Sequence, residues 1–192
     1  AIHQYGALAF HGVSFTRAGF PLYLLSTHVA RYLVDGAPGL SADPPEPAGY
    51  LQLPQHLFWA DAGGETPESV DGIFWTSTKK GLLHTLIVAG MRADRPGLAV
   101  VPLPEAPLQE IPEWLDADVR DGDADFSSRL PGSEFDALYS FAAAGEVLKL
   151  LARFFAYVKA VPAGLQKYEE PDGTGSGPQA SRLPFTRVAL DG

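Results

Sequence analysis

The histidines are the side chains of this sequence most able to carry chemistry, because imidazole transfers protons and binds metals near neutral pH. They are His3, His11, His28, His56 and His84. No H-E-x-x-H sequence or other close metal-ligand spacing joins them, so a site would have to be assembled by the fold. The sequence has no Cys, which removes thiol catalysis and thiolate metal sites. We therefore predict no metal site and no cofactor.

Two further segments have the composition of binding loops but not their spacing. If Asp121 opened a calcium loop, Phe126 would stand where glycine is needed and Gly132 where the terminal glutamate is needed. The segment 173–177 reads Gly-Thr-Gly-Ser-Gly. A nucleophile elbow would need a serine at the central position, 175, where a glycine stands, and a phosphate-binding loop would need Lys-Ser or Lys-Thr after it, which is absent. Both segments are interpreted as solvated loops.

Two Phe-Trp pairs, at 58–59 and 74–75, lie in apolar runs typical of strands. A two-residue turn at 79–80 would place a histidine opposite the second tryptophan, and an imidazole beside several indoles on one sheet is the constellation most worth testing. The simplest interpretation of the tryptophans is nonetheless burial in the core. The predicted ligand- or partner-binding residues are His56, Trp59, Trp75, His84 and Trp114.

The elements that would position these residues form an antiparallel β-meander from Tyr50 to Leu103. Val70 to Thr78 and Leu82 to Met91 flank a Lys-Lys-Gly turn, which predicts a hairpin. The second of these strands is apolar on both faces, so we expect it to be central and covered on both sides.

Helical and extended segments surround the meander. Ala7 to Phe15 is short, apolar and aromatic, which favours a strand. Pro21 to Val34 has apolar residues at helical spacing after a proline, and Phe135 to Val158 carries the clearest helical stripe. The predicted fold class is therefore α+β: an antiparallel β-meander of about four or five strands packed against a long C-terminal-half helix and a shorter N-terminal helix.

The length of the chain predicts a single globular domain over residues 1–192. The proline density of residues 37–49 indicates an exposed connector, and the glycine-rich stretch 169–181 indicates a flexible loop. Because the chain opens at Ala1, either an initiator methionine or a longer leader has been removed, and the default expectation is a cytoplasmic protein.

The charge of the chain excludes some partners. With 14 basic and 23 acidic residues the net charge is −9, so phosphate backbones and anionic lipid headgroups are repelled. A basic partner or a cationic ligand fits this charge better. The most apolar long run, Leu138 to Val158, contains Glu146, Lys149 and Arg153 and does not predict a membrane span. We predict no nucleic-acid and no membrane partner.

The missing motifs and the abundant aromatic residues favour a non-catalytic soluble binding or protein-interaction module, with a protein partner or a small apolar ligand. The alternative is a small, hydrolase-like enzyme whose site is assembled around His84 with Asp71 or Asp94. A cleft that gathers His84, a carboxylate and a Ser or Thr hydroxyl would support the enzyme. A closed aromatic core with a flat apolar patch outside would support the binding module.

Overall fold

A computed structural model describes residues 2–36, 42–60, 68–79, 83–90, 97–103, 141–168 and 185–188 of the chain. The helices in these ranges are α1 (Ile2–Arg17), α2 (Thr27–Asp35) and α3 (Phe141–Ala160), and a single 3-10 turn covers Pro162–Gly164. The strands are β1 (Leu22–Leu25), β2 (Ala48–Gln52), β3 (Trp59–Ala60), β4 (Glu68–Ser77), β5 (Leu83–Ala89), β6 (Gly97–Leu103), β7 (Leu165–Tyr168) and β8 (Phe185–Val188). This is an α+β fold.

The sheet is mixed, which corrects the purely antiparallel sheet predicted from the sequence. Its strand order is β6-β5-β4-β2-β1-β8-β7, with β3 attached to β4. The strands β2, β4, β5 and β6 do pair antiparallel. However, β1 runs parallel to both β2 and β8, with Tyr23 level with Leu51 on one side and Thr186 on the other. The chain between β1 and β2 contains α2, and a helical crossover of this kind allows neighbouring strands to run in the same direction.

The predicted hairpin is confirmed, with one error of register. The strands β4 and β5 pair antiparallel, and β5 lies between β4 and β6. His84 pairs with Thr76, however, and Trp75 pairs with Thr85. Residues 78–82 separate the paired ends of the strands, so the connection is longer than the two-residue turn that was assumed. Because a slip of one residue exchanges the two faces of a strand, His84 and Trp75 lie on opposite faces of the sheet.

The two faces of the sheet are covered by different helices. On β4 the ring of Phe74 contacts Phe15 of α1, whereas the ring of the next residue, Trp75, contacts Phe154 and Phe155 of α3. Successive side chains of a strand point to opposite faces, so α1 covers one face and α3 the other. The helix α2 packs with α3.

The strand predicted over Ala7 to Phe15 is wrong, because this segment belongs to helix α1. His11 and Phe15 are four residues apart, and their ring centroids lie 6.2 and 5.7 Å from that of Phe74. Residues at this spacing share one face of a helix. Their joint contact with the sheet outweighs the local preference of valine and phenylalanine for strands.

The helix predicted over Pro21 to Val34 is correct only in its second half. The segment Leu22–Leu25 forms strand β1, and α2 starts after Ser26, whose Oγ accepts a long hydrogen bond of 3.4 Å from the Val29 amide. Serine is a favoured residue at this capping position. The apolar spacing before Ser26 is compatible with both structures, which is why the sequence placed the helix start too early.

The predicted long helix is present as α3, and residues 135–140 of that prediction lie outside the described residues. Three apolar residues of its stripe, Leu148, Leu151 and Phe155, are all buried. Gly145 does not interrupt the helix. None of the helices in the described ranges combines the length and the apolar character needed to cross a membrane.

Of the two predicted loops, only part of the first is described. Residues 42–47 form neither helix nor strand, and residues 48–49 already belong to β2. Residues 37–41 and the glycine-rich stretch 169–181 lie outside the described residues.

Candidate functional site

Of the predicted site residues, Trp75 lies in the apolar core. Its side chain is 0% exposed, and its indole Nε1 donates a hydrogen bond of 3.0 Å to the carbonyl oxygen of Glu46. The rings of Tyr23, Phe154 and Phe155 surround it. This is the arrangement of a structural tryptophan, in agreement with the simplest interpretation of the sequence. Trp114 lies outside the described residues.

Two other predicted residues, His56 and Trp59, form an exposed aromatic pair. Their ring centroids are 4.9 Å apart and their planes are inclined by 22°, so the imidazole stacks on the indole. Trp59 keeps 51% of its surface exposed. A large aromatic side chain thus remains half exposed with one ring face against a stacking partner. We call His56 and Trp59 the aromatic pair.

His56 lies in the loop that connects β2 to β3, and Trp59 is the first residue of β3, where it pairs with Ser69 of β4. The loop is itself attached to β4. The Leu53 amide donates to the Asp71 carbonyl at 2.8 Å, and Gln55 Nε2 donates to Asp71 Oδ1 at 2.9 Å. The His56 amide donates to Ser69 Oγ at 2.9 Å. The pairing of β4 with β5 is irregular between residues 70 and 72, so Asp71 lies in a bulge. Asp71 in the bulge and Ser69 beside it supply the oxygen atoms that hold the loop.

The backbone at His56 adopts a left-handed conformation, with φ of 64°. Non-glycine residues in this region carry strain of about 1–3 kcal/mol, and such strain concentrates at functional sites. The hydrogen bond from the His56 amide to Ser69 and the stacking on Trp59 offset the strain. These contacts therefore favour the observed conformation of the loop.

A cleft of about 580 Å³ lies beside this loop. It is formed at the carboxyl ends of the parallel strands β1 and β2 and at the first turn of α2, an edge at which sheets of this type commonly bind ligands. Pro54 and Gln55 contribute to both the cleft and the loop. The residues that line the cleft are Leu24, Leu25, Ser26, Thr27, His28, Pro54 and Gln55.

The remaining predicted residue, His84, lies on the face of the sheet covered by α1, away from the face of Trp75. Its ring packs edge to face against Phe10, with centroids 5.7 Å apart. The neighbouring imidazole is that of His11. His11 Nδ1 lies 3.0 Å from Thr76 Oγ1 in a hydrogen bond. The structure thus forms two separate histidine sites, one at His56 and one at His11 and His84.

The hydroxyl of Thr76 and the imidazole of His11 have the spacing of a nucleophile and a general base. Both side chains are buried, however, and burial together with the charge of His84 lowers the pKa of His11 to about 4. A base with so low a pKa is weak at neutral pH. Asp71, one of the carboxylates proposed to assist His84, accepts a hydrogen bond from Gln55, and Asp94 lies outside the described residues.

Comparisons of the chain with protein-family models, with curated proteins and with solved structures gave no match. Within the described ranges, no group of three or more His, Asp or Glu side chains is arranged to hold a metal ion.

The residues that contact the two histidine sites were not predicted from the sequence. Gln55 and Ser69 hold the β2–β3 loop, and His11 contacts Thr76 across 65 positions of sequence. No local pattern marks such contacts, because they depend on the packing of α1 and on the bulge in β4.

Proposed function

We propose that the chain is a non-catalytic binding protein and that the aromatic pair contacts a basic segment of a protein partner. The observation that carries the proposal is the half-exposed Trp59 of β3, which is stacked on His56 of the adjoining loop, and both residues are attached to β4. A preformed anchor binds more tightly than a mobile one, because less conformational entropy is lost on association. Aromatic residues of this kind contribute most of the free energy of many interfaces.

The charge of the chain indicates which partner is favoured. The net charge of −9 attracts basic segments over long range and repels acidic ones. At short range, an arginine or lysine over the face of a tryptophan gains about 0.5–2 kcal/mol through a cation–π interaction. Arginine is favoured over lysine because its planar guanidinium also stacks on the ring. A basic segment therefore fits both the negative net charge of the chain and the exposed indole of Trp59.

The proposal is tested by titrating the full chain into fluorescently labelled peptides and measuring anisotropy. One peptide is rich in arginine, a second has lysine at the same positions, and a third has glutamate. We expect the arginine peptide to bind most tightly and the glutamate peptide not to bind. Trp59→Ala should weaken binding of the arginine peptide about two- to thirtyfold, which corresponds to the loss of about 0.5–2 kcal/mol.

Tyr32→Ala is the matched control, because Tyr32 is an aromatic residue on α2 that is 62% exposed. It should leave the affinity unchanged. Equal losses in Trp59→Ala and Tyr32→Ala would show that binding depends on general aromatic surface. If Trp59→Ala bound the arginine peptide as tightly as the unchanged chain does, only net charge would be recognised. Each of these two results would reject the aromatic pair as the contact site.

A second candidate function is the binding of a small ligand in the cleft beside the loop, and its size and its position at the carboxyl ends of β1 and β2 favour it. Saturation-transfer NMR with a library of small fragments tests this function. Thr27→Trp would fill part of the cleft and should abolish the transfer to any fragment bound there. Transfer that is unchanged in Thr27→Trp would place the fragments elsewhere.

The hydrolase alternative has less support. It would need a general base and an open approach to a hydroxyl near His84, whereas His11 and Thr76, the pair beside His84, are both buried between α1 and the sheet. Its test is the hydrolysis of activated ester substrates by the unchanged chain and by Thr76→Val. Activity that Thr76→Val removes, with the fold retained, would favour the enzyme over the binding protein.

A further inference from the structure

The helix α1 is attached to the sheet through the buried His11 and the half-buried Phe15. Among the described side chains of α1, residues 6–17, only His11 is buried. Leu8, Phe10 and Val13 remain exposed. The cluster of buried apolar residues draws on α2, α3 and the strands, and no described side chain of α1 belongs to it. A helix with so few buried apolar contacts can open without global unfolding.

His11 occupies an environment that accepts only its neutral form. Nδ1 is hydrogen-bonded to Thr76 Oγ1, whereas Nε2 is buried and has no hydrogen-bond partner among the described residues. Either neutral tautomer can keep the bond to Thr76, because the hydroxyl both donates and accepts. Aromatic rings of Phe10 and Phe74 lie beside the imidazole. A second proton would create a charged N–H in a site that offers it no acceptor.

The ionisable groups on the strands beneath α1 give a protonated His11 little compensation. His84 on β5 repels a positive charge on His11. On β2 the group is the hydroxyl of Tyr50, and burial with the nearby charge of Asp71 on β4 raises the pKa of Tyr50, so it stays neutral. The sequence of β6, GLAVVPL, has no ionisable side chain. On α1 itself, the other basic residue among residues 6–17 is Arg17, at the end of the helix.

We propose that α1 is an acid-released element, in which protonation of His11 detaches α1 from the sheet while β4, β5 and α3 stay folded. Docking lowers the pKa of His11 from 6.5 to about 4. The docked state therefore binds fewer protons than the released state. Its stabilisation is complete above pH 6.5 and is lost as the pH falls toward 4. For these pKa values, lowering the pH from 7 to 5 shifts the equilibrium toward release about twentyfold.

Hydrogen exchange followed by mass spectrometry tests the release in the full chain. Protection factors, corrected for the pH dependence of intrinsic exchange, are compared at pH 7 and pH 5. The amides of α1 should lose about twentyfold in protection. The amides of the β4–β5 hairpin should keep theirs. Parallel loss of protection in α1 and the hairpin would show global acid unfolding and would overturn the proposal.

Substitutions test whether the loss of protection of α1 in acid is caused by His11. His11→Gln retains an amide that can hydrogen-bond Thr76 but cannot titrate, and it should remove the acid response of α1. His28→Gln, a change at an exposed histidine of α2, is the control and should respond as the unchanged chain does. An acid response that persists in His11→Gln contradicts the proposal. Because His11→Gln could itself loosen α1, the pKa of His11 is also measured by NMR in the unchanged chain. A pKa near 6.5 would overturn the proposal as well.

Discussion

Gly49 allows β2 to pass directly over the indole of Trp75, and adding one methyl group there tests the packing of the core. A Cβ atom at this position would overlap ring atoms of Trp75. The indole has no room to retreat, because it is 0% exposed, is hydrogen-bonded to the Glu46 carbonyl and is surrounded by other rings. Either β2 or Trp75 must therefore move when Gly49 is replaced by Ala.

The expected loss of stability in Gly49→Ala depends on whether β2 or Trp75 moves to relieve the overlap. Overpacking of a rigid core costs about 1–3 kcal/mol, and complete loss of a buried tryptophan side chain costs about 3–5 kcal/mol. Because the overlap is with the ring itself, we expect a loss in the free energy of unfolding of about 3 kcal/mol. Denaturant titration, monitored by circular dichroism, measures the change.

Gly145→Ala is the matched control, because a Cβ atom at Gly145 would meet no atom within 4 Å. Gly145 lies inside helix α3, where alanine is favoured over glycine by about 1 kcal/mol, so this variant should be more stable. If Gly49→Ala were within 0.5 kcal/mol of the unchanged chain, a size typical of neutral surface substitutions, the close approach of β2 to Trp75 would be refuted.

Two further predictions concern helix α3. Leu151 is fully buried, so Leu151→Ala should lower the free energy of unfolding by about 2–5 kcal/mol, and a neutral result in denaturant titration would mean that α3 presents another face to the sheet. Arg153 Nη1 donates hydrogen bonds of 2.8 Å to the carbonyl oxygens of Leu33 and Val34 at the end of α2. Hydrogen bonds from a charged donor contribute about 1.5–3 kcal/mol, so Arg153→Met should cost about 2 kcal/mol, whereas Lys159→Met, at an exposed position of the same helix, should not change the melting temperature.

Parts of the fold with a strong local pattern were predictable. The β4–β5 hairpin has apolar runs on both sides of a turn, and α3 has an apolar stripe over several turns. The N-terminal elements were not predictable in this way, because the Leu22–Leu25 segment fits a helical stripe and a strand equally well. Its pairing with residues 48–52 and 185–188, both distant in sequence, decides the outcome.

The candidate site, too, was predictable from the sequence only in part. His56 and Trp59 are close in sequence, and their aromatic character was sufficient to select them. The hydrogen bond of His11 with Thr76 and the electrostatic effect of His84 on His11 required α1 to be a helix and β5 to be shifted by one residue, and both features depend on tertiary packing. A sequence pattern of apolar residues does not determine strand register when both faces of the strand are buried.

The most direct test of the proposed function follows the indole N–H signal of Trp59 during titration with the arginine-rich peptide. The signal is assigned in a nitrogen-15 NMR spectrum by its absence from Trp59→Phe. The account predicts that this signal shifts in a saturable manner, while the signal of the buried Trp75 stays in place. Saturable binding of the peptide with no shift of the Trp59 signal would contradict the assignment of the aromatic pair as the binding surface.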